Sequence, residues 1–257
     1  MRPISFLFLL LVATVLAGCF RPPEFPDEPE INFKSIVFVT DEDGGTGSFG
    51  DSLILSIDFQ DGDGNLGLRG SENGFPYHAF DIIKDANGDT VKLSGTDYEL
   101  PYFRHSPNGE RFFLTDDPGT LSADYNCQEF EVITNNEGIP VDTMRIVKNP
   151  NNLNIFVEFY RKNENGEFRF FDWTSVASSN RCGEDFNGRF PIFDERNLAD
   201  GNPLAGTIDY SMVSVGFKLA MGVNNTFRID VRILDRDLNV SNTVSSQEFT
   251  LNEITAN

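Results

Sequence analysis

The sequence is poor in the residues that most often build zinc sites, histidine-based catalytic units and nucleic-acid interfaces. The chain of 257 residues contains only two histidines and three cysteines. Two histidines leave little material for a zinc site or for a histidine-dependent catalytic unit. Lysine and arginine together number 20 against 40 aspartates and glutamates, so the formal net charge is −20. Because phosphate contacts need clustered basic residues, this imbalance argues against nucleic acid and against docking on anionic lipid through a basic patch.

Long apolar runs are also scarce, and the one that stands out lies at the N-terminus. Arg2 precedes an apolar run over residues 4–16. A run of this length is typical of a secretory signal peptide and is too short for a permanent membrane span. Residues 16–19, LAGC, resemble a bacterial lipobox. The resemblance implies cleavage before Cys19 and attachment of lipid to it, and an ordinary signal peptide is the alternative.

The segment after Cys19 has the composition of a tether. Residues 20–31, FRPPEFPDEPEI, contain four prolines and four acidic residues. Such a stretch disfavours both helix and strand pairing and predicts an extended spacer. Acidic residues soon after a lipidated cysteine also resemble the export signal of surface lipoproteins in Bacteroidota. We therefore expect a signal peptide over residues 1–18, a tether over 19–31, and an outer-membrane lipoprotein that faces the cell surface.

The remainder of the chain has the alternating pattern of β-strands and no convincing helical stripe. In residues 52–59, Leu53, Leu55 and Ile57 fall on one face, and residues 226–234 alternate in the same way. Alternation predicts strands with one face on a core and one in water. The predicted strands cover residues 32–40, 52–59, 78–84, 129–134, 154–161, 167–173, 206–213, 226–234 and 243–251. Strands of this length between polar turns indicate an all-β fold, a β-sandwich.

Two segments of the chain resemble each other. Residues 55–67, LSIDFQDGDGNLG, align with residues 229–241, IDVRILDRDLNVS. Each is an alternating strand that runs into Asp-x-Asp-x-Asn, followed by an apolar and then a small residue. This internal likeness allows two tandem β domains, over about 32–122 and 123–252. It equally allows one sandwich over 32–252 whose two acidic loops lie at the same end.

The order of several motifs resembles that of the Ig-like surface lipoproteins of Bacteroidota. Besides the lipobox, the motifs are FQDGDGNLG (59–67), NIFVEFY (154–160), FNGRFP (186–191), LAGTI (204–208) and ILDRDLNVSN (233–242). The resemblance implies one Ig-like sandwich, in which the acidic loops are the B–C and F–G connections at one end. Residues from about 69 to 149 are then a long insertion, which we expect to be rich in strands.

Two cysteines remain once Cys19 is assigned to lipid. Cys127 and Cys182 form an even pair in an exported protein, and an oxidising compartment favours a disulfide between them. Such a link stabilises by roughly 4 kcal/mol in entropy models, and two free thiols are the alternative. Neither cysteine has a histidine near it in sequence, which disfavours a role as nucleophile.

The strongest chemical signal is the pair of acidic loops. Calcium binds roughly six to eight oxygen ligands, and alternating carboxylates allow a loop to fold around one ion. An EF-hand is excluded, because Leu66 stands where that loop requires glycine and the flanking segment is a strand. We predict a calcium site shared by the loops, with the ligands Asp61, Asp63, Asn65, Asp235, Asp237 and Asn239. The alternative is two tight turns whose Asp and Asn side chains cap their own backbone, with Arg236 neutralising part of the charge.

The aromatic run at residues 168–173 permits a sugar-stacking platform or a buried core, since Phe168 and Phe170 share one strand face and Phe171 and Trp173 the other. Exposure of whichever pair lies outside the core would favour binding. A glycan-acting hydrolase with an acidic pair, placed in the insertion, is the alternative class, although no motif singles out a pair. A nucleophile elbow, a phosphate loop and a dinucleotide fingerprint are all absent. We expect a non-enzymatic, lipid-anchored binding or accessory module with an envelope protein or a glycan as partner. A calcium-stiffened spacer is a third hypothesis.

Overall fold

The computed structural model describes residues 24–40, 50–95, 97–116, 124–176, 180–183 and 185–256. The predicted signal peptide and lipid attachment site at Cys19 lie outside the described residues. Within the described ranges, no helix combines the length and apolar character that crossing a membrane requires. Strands dominate the regular structure of the described chain, so the prediction of an all-β fold is confirmed.

Twelve strands are present in the described part of the chain, with a few short helices between them. The strands are β1 (Glu30–Val39), β2 (Asp51–Asp61), β3 (Phe80–Lys84), β4 (Tyr102–His105), β5 (Arg111–Thr115), β6 (Phe130–Thr134), β7 (Pro140–Lys148), β8 (Ile155–Lys162), β9 (Phe168–Phe170), β10 (Leu204–Ser214), β11 (Phe227–Ile233) and β12 (Val244–Ser245). The helices are α1 (Glu195–Asp200), α2 (Phe217–Met221) and α3 (Leu251–Ile254), with 3-10 turns at Pro150–Asn152 and Trp173–Ser175.

Seven of these strands build a β-sandwich of two antiparallel sheets. One sheet has the order β1-β2-β10 and the other the order β12-β11-β8-β9. This arrangement corresponds to strands A, B and E facing strands G, F, C and C′ of an Ig-type domain. Strand β2 pairs with β10 along its full length, from Asp51↔Ser214 to Asp61↔Leu204. The early and late parts of the chain therefore share one sheet.

The sandwich core forms from the alternating faces that the sequence predicted. Leu53, Leu55 and Ile57 of β2 are fully buried, as are the apolar side chains of β11. These side chains join Phe159 of β8 and Trp173 in one apolar cluster between the two sheets. Burial of each such side chain contributes on the order of 2 kcal/mol, which explains why the period-two pattern determines which face of each strand turns inward.

The remaining five strands form a separate antiparallel sheet between β2 and β8 in the chain. Its order is β5-β4-β3-β7-β6, and it lies within the predicted insertion at residues 69–149. Ile83, Val91 and Tyr102 make a small core of its own. The insertion thus emerges from the loop that joins the second strand of the first sheet to the central strand of the second.

Arg189 fixes both ends of the insertion to the sandwich. It belongs to the segment that pairs with β8 through Gly188. Its guanidinium donates to four backbone carbonyls, those of Arg69 (3.2 Å), Glu72 (3.0 Å), Tyr77 (3.0 Å) and Asn152. Hydrogen bonds from a charged donor contribute about 1.5–3 kcal/mol each, so this side chain is a major anchor of the insertion.

A disulfide between Cys127 and Cys182 makes a further connection, which confirms that prediction. Cys127 precedes β6 of the insertion, and Cys182 lies in the sandwich after Trp173. The side-chain amide of Gln128 donates to the carbonyl of Arg181 at 3.1 Å and reinforces the link. The insertion is therefore attached to the sandwich by a covalent link as well as by the hydrogen bonds of Arg189.

Candidate metal centre

The two acidic loops meet at one end of the sandwich. Asp61 is the last residue of β2 in one sheet, and Asp235 follows β11 in the other. Carboxylate oxygens of Asp61, Asp63 and Asp235 all lie within 4.8 Å of one another. The packing of the two sheets thus brings together residues that are more than 170 positions apart in sequence.

The glycines of the first loop lie where neighbouring backbone comes too close for a side chain. Gly64 has a φ of +65°, and a Cβ at this position would collide with the carbonyl oxygen of Asn202. Gly62 donates its N–H to the carbonyl of Pro26 at 2.8 Å, so the N-terminal tether packs directly on the loop. The DGDG pattern therefore serves a tight turn between two neighbouring segments, with the aspartates at the positions between the glycines.

The second loop is a tight turn closed by its own aspartate. One carboxylate oxygen of Asp235 accepts the backbone N–H of Asn239 at 2.7 Å, and the other accepts the side-chain amide at 2.8 Å. Leu238 takes the left-handed conformation with a φ of +68°. This is the self-capping turn that the sequence left open as an alternative, and it orients Asp235 toward the first loop.

The Asp61 carboxylate is buried without a counter-charge. Its side chain is 0% exposed, and neither oxygen receives a hydrogen bond of normal geometry from the described residues. Burial, followed by the charges of Asp63 and Asp235, raises the pKa of Asp61 to about 7. Burial also raises the pKa values of Asp63 and Asp235. An uncompensated buried carboxylate is strongly unfavourable, so this pocket favours a cation.

The other three predicted ligands surround this group. The amide nitrogen of Asn65 donates to Asp63 at 2.8 Å and to Asp237 at 3.2 Å, which places it between two carboxylates. Asn239 donates to Asp235 in the same manner. Three of the six predicted residues therefore converge, and the other three are connected to them by hydrogen bonds.

Arg236 does not neutralise the aspartates. Its guanidinium donates to both carboxylate oxygens of Glu72, one at 2.9 Å, and to the carbonyl of Gly67 at 3.2 Å. The hydrogen bond from Arg236 is the main cause that lowers the pKa of Glu72 to about 2. Across the described chain, no salt bridge reaches Asp61, Asp63 or Asp235. Among the described residues, the negative charge of the cluster is thus not balanced by a salt bridge.

A second polar cluster in the insertion was not found from sequence. The Nε2 atom of His78 lies 2.8 Å from Asp81, and the Ser106 hydroxyl is 3.5 Å from the same nitrogen. In a Ser-His-Asp unit the serine and the aspartate contact opposite ring nitrogens. Because both contact Nε2 here, the cluster does not have the geometry of a proton relay. Arg104 completes it through an ion pair with Asp81 at 3.1 Å.

Comparison with family models, curated proteins and solved structures gives no match for this chain. The fold and the site themselves define the class of protein. It is an Ig-like β-sandwich with an inserted five-stranded sheet and a carboxylate cluster where the two sandwich sheets meet. The resemblance to surface lipoproteins of Bacteroidota stays a prediction.

Proposed function

We propose that this protein is a non-enzymatic binding or accessory module whose sandwich is stabilised at one end by a calcium ion. A lipid on Cys19 holds it at the outer membrane with the body at the cell surface, where its partner is an envelope protein or a glycan. The single observation that carries the calcium assignment is the buried, unpartnered carboxylate of Asp61 beside Asp63 and Asp235. The cation removes the repulsion that three close carboxylates otherwise impose on the folded state.

The chemistry of the ligands favours calcium over other metals. The three converging groups are carboxylates, and calcium prefers hard oxygen ligands. Zinc selects histidine nitrogen or cysteine sulfur, neither of which belongs to this group. Rotation of the Asn65 and Asn239 amides would add two further oxygens. Extracellular modules typically bind calcium with dissociation constants of about 10⁻⁴–10⁻³ M.

Thermal unfolding of the purified protein tests this assignment. We expect millimolar calcium to raise the melting temperature and EDTA to reverse the effect, because a ligand that binds only the folded state stabilises it. The gain is about 2.7 kcal/mol when calcium exceeds its dissociation constant a hundredfold. Magnesium, which demands stricter geometry, is the matched control and should have a smaller effect. A melting curve that neither calcium nor EDTA changes would refute the calcium site.

The anchor is tested separately through Cys19. We expect a radiolabelled fatty acid fed to the cells to label the wild-type protein and not the Cys19→Ala variant, because the variant has no sulfur to which lipid can be attached. The wild-type protein should remain with the membranes until detergent is added. Absence of label from the wild type, or equal label in the variant, would contradict the lipoprotein assignment.

The carboxylate cluster does not support the hydrolase hypothesis. Glycoside hydrolysis places two carboxyl groups roughly 5–9.5 Å apart on either side of a cleft. Three cavities on the described surface are lined by residues other than Asp61, Asp63 and Asp235. The carboxylate cluster therefore fits an ion better than a substrate.

A further inference from the structure

Three neighbouring cavities share lining residues along the side of the sandwich, and we refer to them together as the groove. The central cavity measures about 240 Å³, and its neighbours measure about 650 and 460 Å³. The central cavity shares Phe170 and Phe171 with the first neighbour and Asp185 and Asn187 with the second. The groove therefore runs alongside β8 from the root of the insertion to the opposite end of the sandwich, a length of roughly 25 Å.

An exposed aromatic ring stands in the middle of this groove. Phe170 lies on the edge strand β9, and its side chain is 59% exposed. Tyr160 supports it from the adjacent strand in an edge-to-face contact at 5.9 Å. Phe168, by contrast, is covered by the guanidinium of Arg228 at 5.0 Å. Phe170 therefore presents a large apolar ring to solvent between two of the cavities.

The lining of the groove differs from the rest of the protein in charge. Acidic residues outnumber basic ones two to one in the chain, yet among the described residues five acidic and six basic ones line the three cavities. The basic residues are Lys148, Arg161, Lys162, Arg169, Arg181 and Arg232. The charged side chains of both signs, together with the asparagine and glutamine amides, supply both hydrogen-bond donors and acceptors. Such a lining suits a ligand that is neutral and rich in hydroxyl groups.

One wall of the groove is held in place before any ligand binds. Gln128 and Arg181 line the central cavity and are the sequence neighbours of the disulfide cysteines. The amide oxygen of Gln128 accepts a hydrogen bond from Lys148 at 3.0 Å. A wall fixed by a covalent link loses little conformational entropy on binding, which favours recognition of a weakly binding ligand.

We propose that this groove binds a neutral oligosaccharide, with Phe170 stacked against the apolar face of one sugar ring. The aromatic ring supplies the stacking surface, and the surrounding amide, carboxylate and guanidinium groups bind the hydroxyls. A groove of this length accommodates several sugar units in a row. This inference rests on the proposed role as a binding module, and it names the ligand class and the place where the ligand binds.

Trp173 makes the test direct, because it is the single tryptophan of the chain and it lines the central cavity. Tryptophan fluorescence of the calcium-loaded protein is titrated with cello-, xylo-, manno- and malto-oligosaccharides. We expect a saturable change with at least one of them. Phe170→Ala should weaken that binding about five- to tenfold, as expected for the loss of one aromatic stacking contact. Phe170→Tyr, which keeps the ring, should bind like the wild type.

Phe113→Ala is the matched control, since Phe113 is 63% exposed on edge strand β5 of the insertion and is not part of the groove. It should leave the affinity unchanged. Absence of saturable binding across the panel, or an equal loss in both alanine variants, would overturn the proposal. The calcium-dependent melting temperature is measured on the same samples. A normal calcium response without sugar binding would refute the groove alone, whereas loss of both would refute the proposed function as well.

Discussion

Asp61→Asn is expected to stabilise the protein in EDTA and to abolish its stabilisation by calcium. In the metal-free protein the substitution removes a buried charge that has no partner, while the new amide can donate to the neighbouring carboxylates of Asp63 and Asp235. In calcium the same substitution removes a charged ligand. Thermal or urea unfolding should therefore show Asp61→Asn as the more stable protein in EDTA and the wild type as the more stable one in calcium.

The size of the effect follows from the pKa of Asp61. A carboxyl whose pKa is about 7 when folded and 3.8 when unfolded costs at most roughly 4 kcal/mol at neutral pH. Because the folded pKa is the higher one, this cost is absent below about pH 3.8 and grows as the pH rises to about 7. The advantage of Asp61→Asn in EDTA should grow over the same interval. Asp58→Asn, three residues earlier on β2, is the matched control, because Asp58 is half-exposed and paired with Lys34.

Asp58→Asn should leave the calcium response intact. An Asp61→Asn protein that still gains stability from calcium would show that the ion binds elsewhere. An Asp61→Asn protein that is less stable than the wild type in EDTA would show that the Asp61 carboxylate is stabilised without metal. Either result would return the two loops to the simpler role of tight turns.

Replacement of Cys127 and Cys182 by serine is expected to lower the free energy of unfolding by about 4 kcal/mol. The link joins residues separated by 55 positions, and closing so long a loop restricts the unfolded chain strongly. It also attaches the start of β6 to the sandwich. The variant should still fold, because Arg189 continues to hold both ends of the insertion through four carbonyls.

Reduction supplies the control for this prediction. A reducing agent should lower the stability of the wild type to that of the double serine variant, and it should leave the variant unchanged. Equal stability of the oxidised and reduced wild type in urea unfolding would show that the link adds nothing beyond the hydrogen bonds beside it, such as that from Gln128 to Arg181.

The strands that could be predicted from the sequence are those with one face buried in the core and the other exposed to water. For this reason the predicted strand at residues 52–59 falls within β2, and the one at 226–234 exceeds β11 by one residue at each end. The short strands β4 and β5 and the strand β7 were missed, since their stability comes from pairing within the insertion. Two predicted strands were too long. The run at 167–173 stops where Asp172 caps a 3-10 turn, and the run at 243–251 gives way to α3.

The metal centre shows the same limit at the level of single residues. The sequence placed both Asp-x-Asp-x-Asn motifs after alternating strands, because that signal is local. It could not show that Arg236 pairs with Glu72 instead of the aspartates, since this depends on how the insertion leaves the sandwich. Nor could it show that Asn65 and Asn239 act as donors to carboxylates. Such contacts are set by tertiary packing and leave no periodic trace in the chain.

The contact between Pro26 and Gly62 determines how the molecule stands on a membrane if Cys19 carries lipid. Pro26 is seven positions after Cys19, a separation that spans at most roughly 25 Å when the chain is fully extended. The end of the sandwich that carries Asp61, Asp63 and Asp235 is then confined near the phospholipid headgroups. There an ion between the three carboxylates also reduces their repulsion from an anionic surface. Strand β8 runs away from this end of the sandwich, so the groove beside β8 extends from the bilayer toward the surroundings.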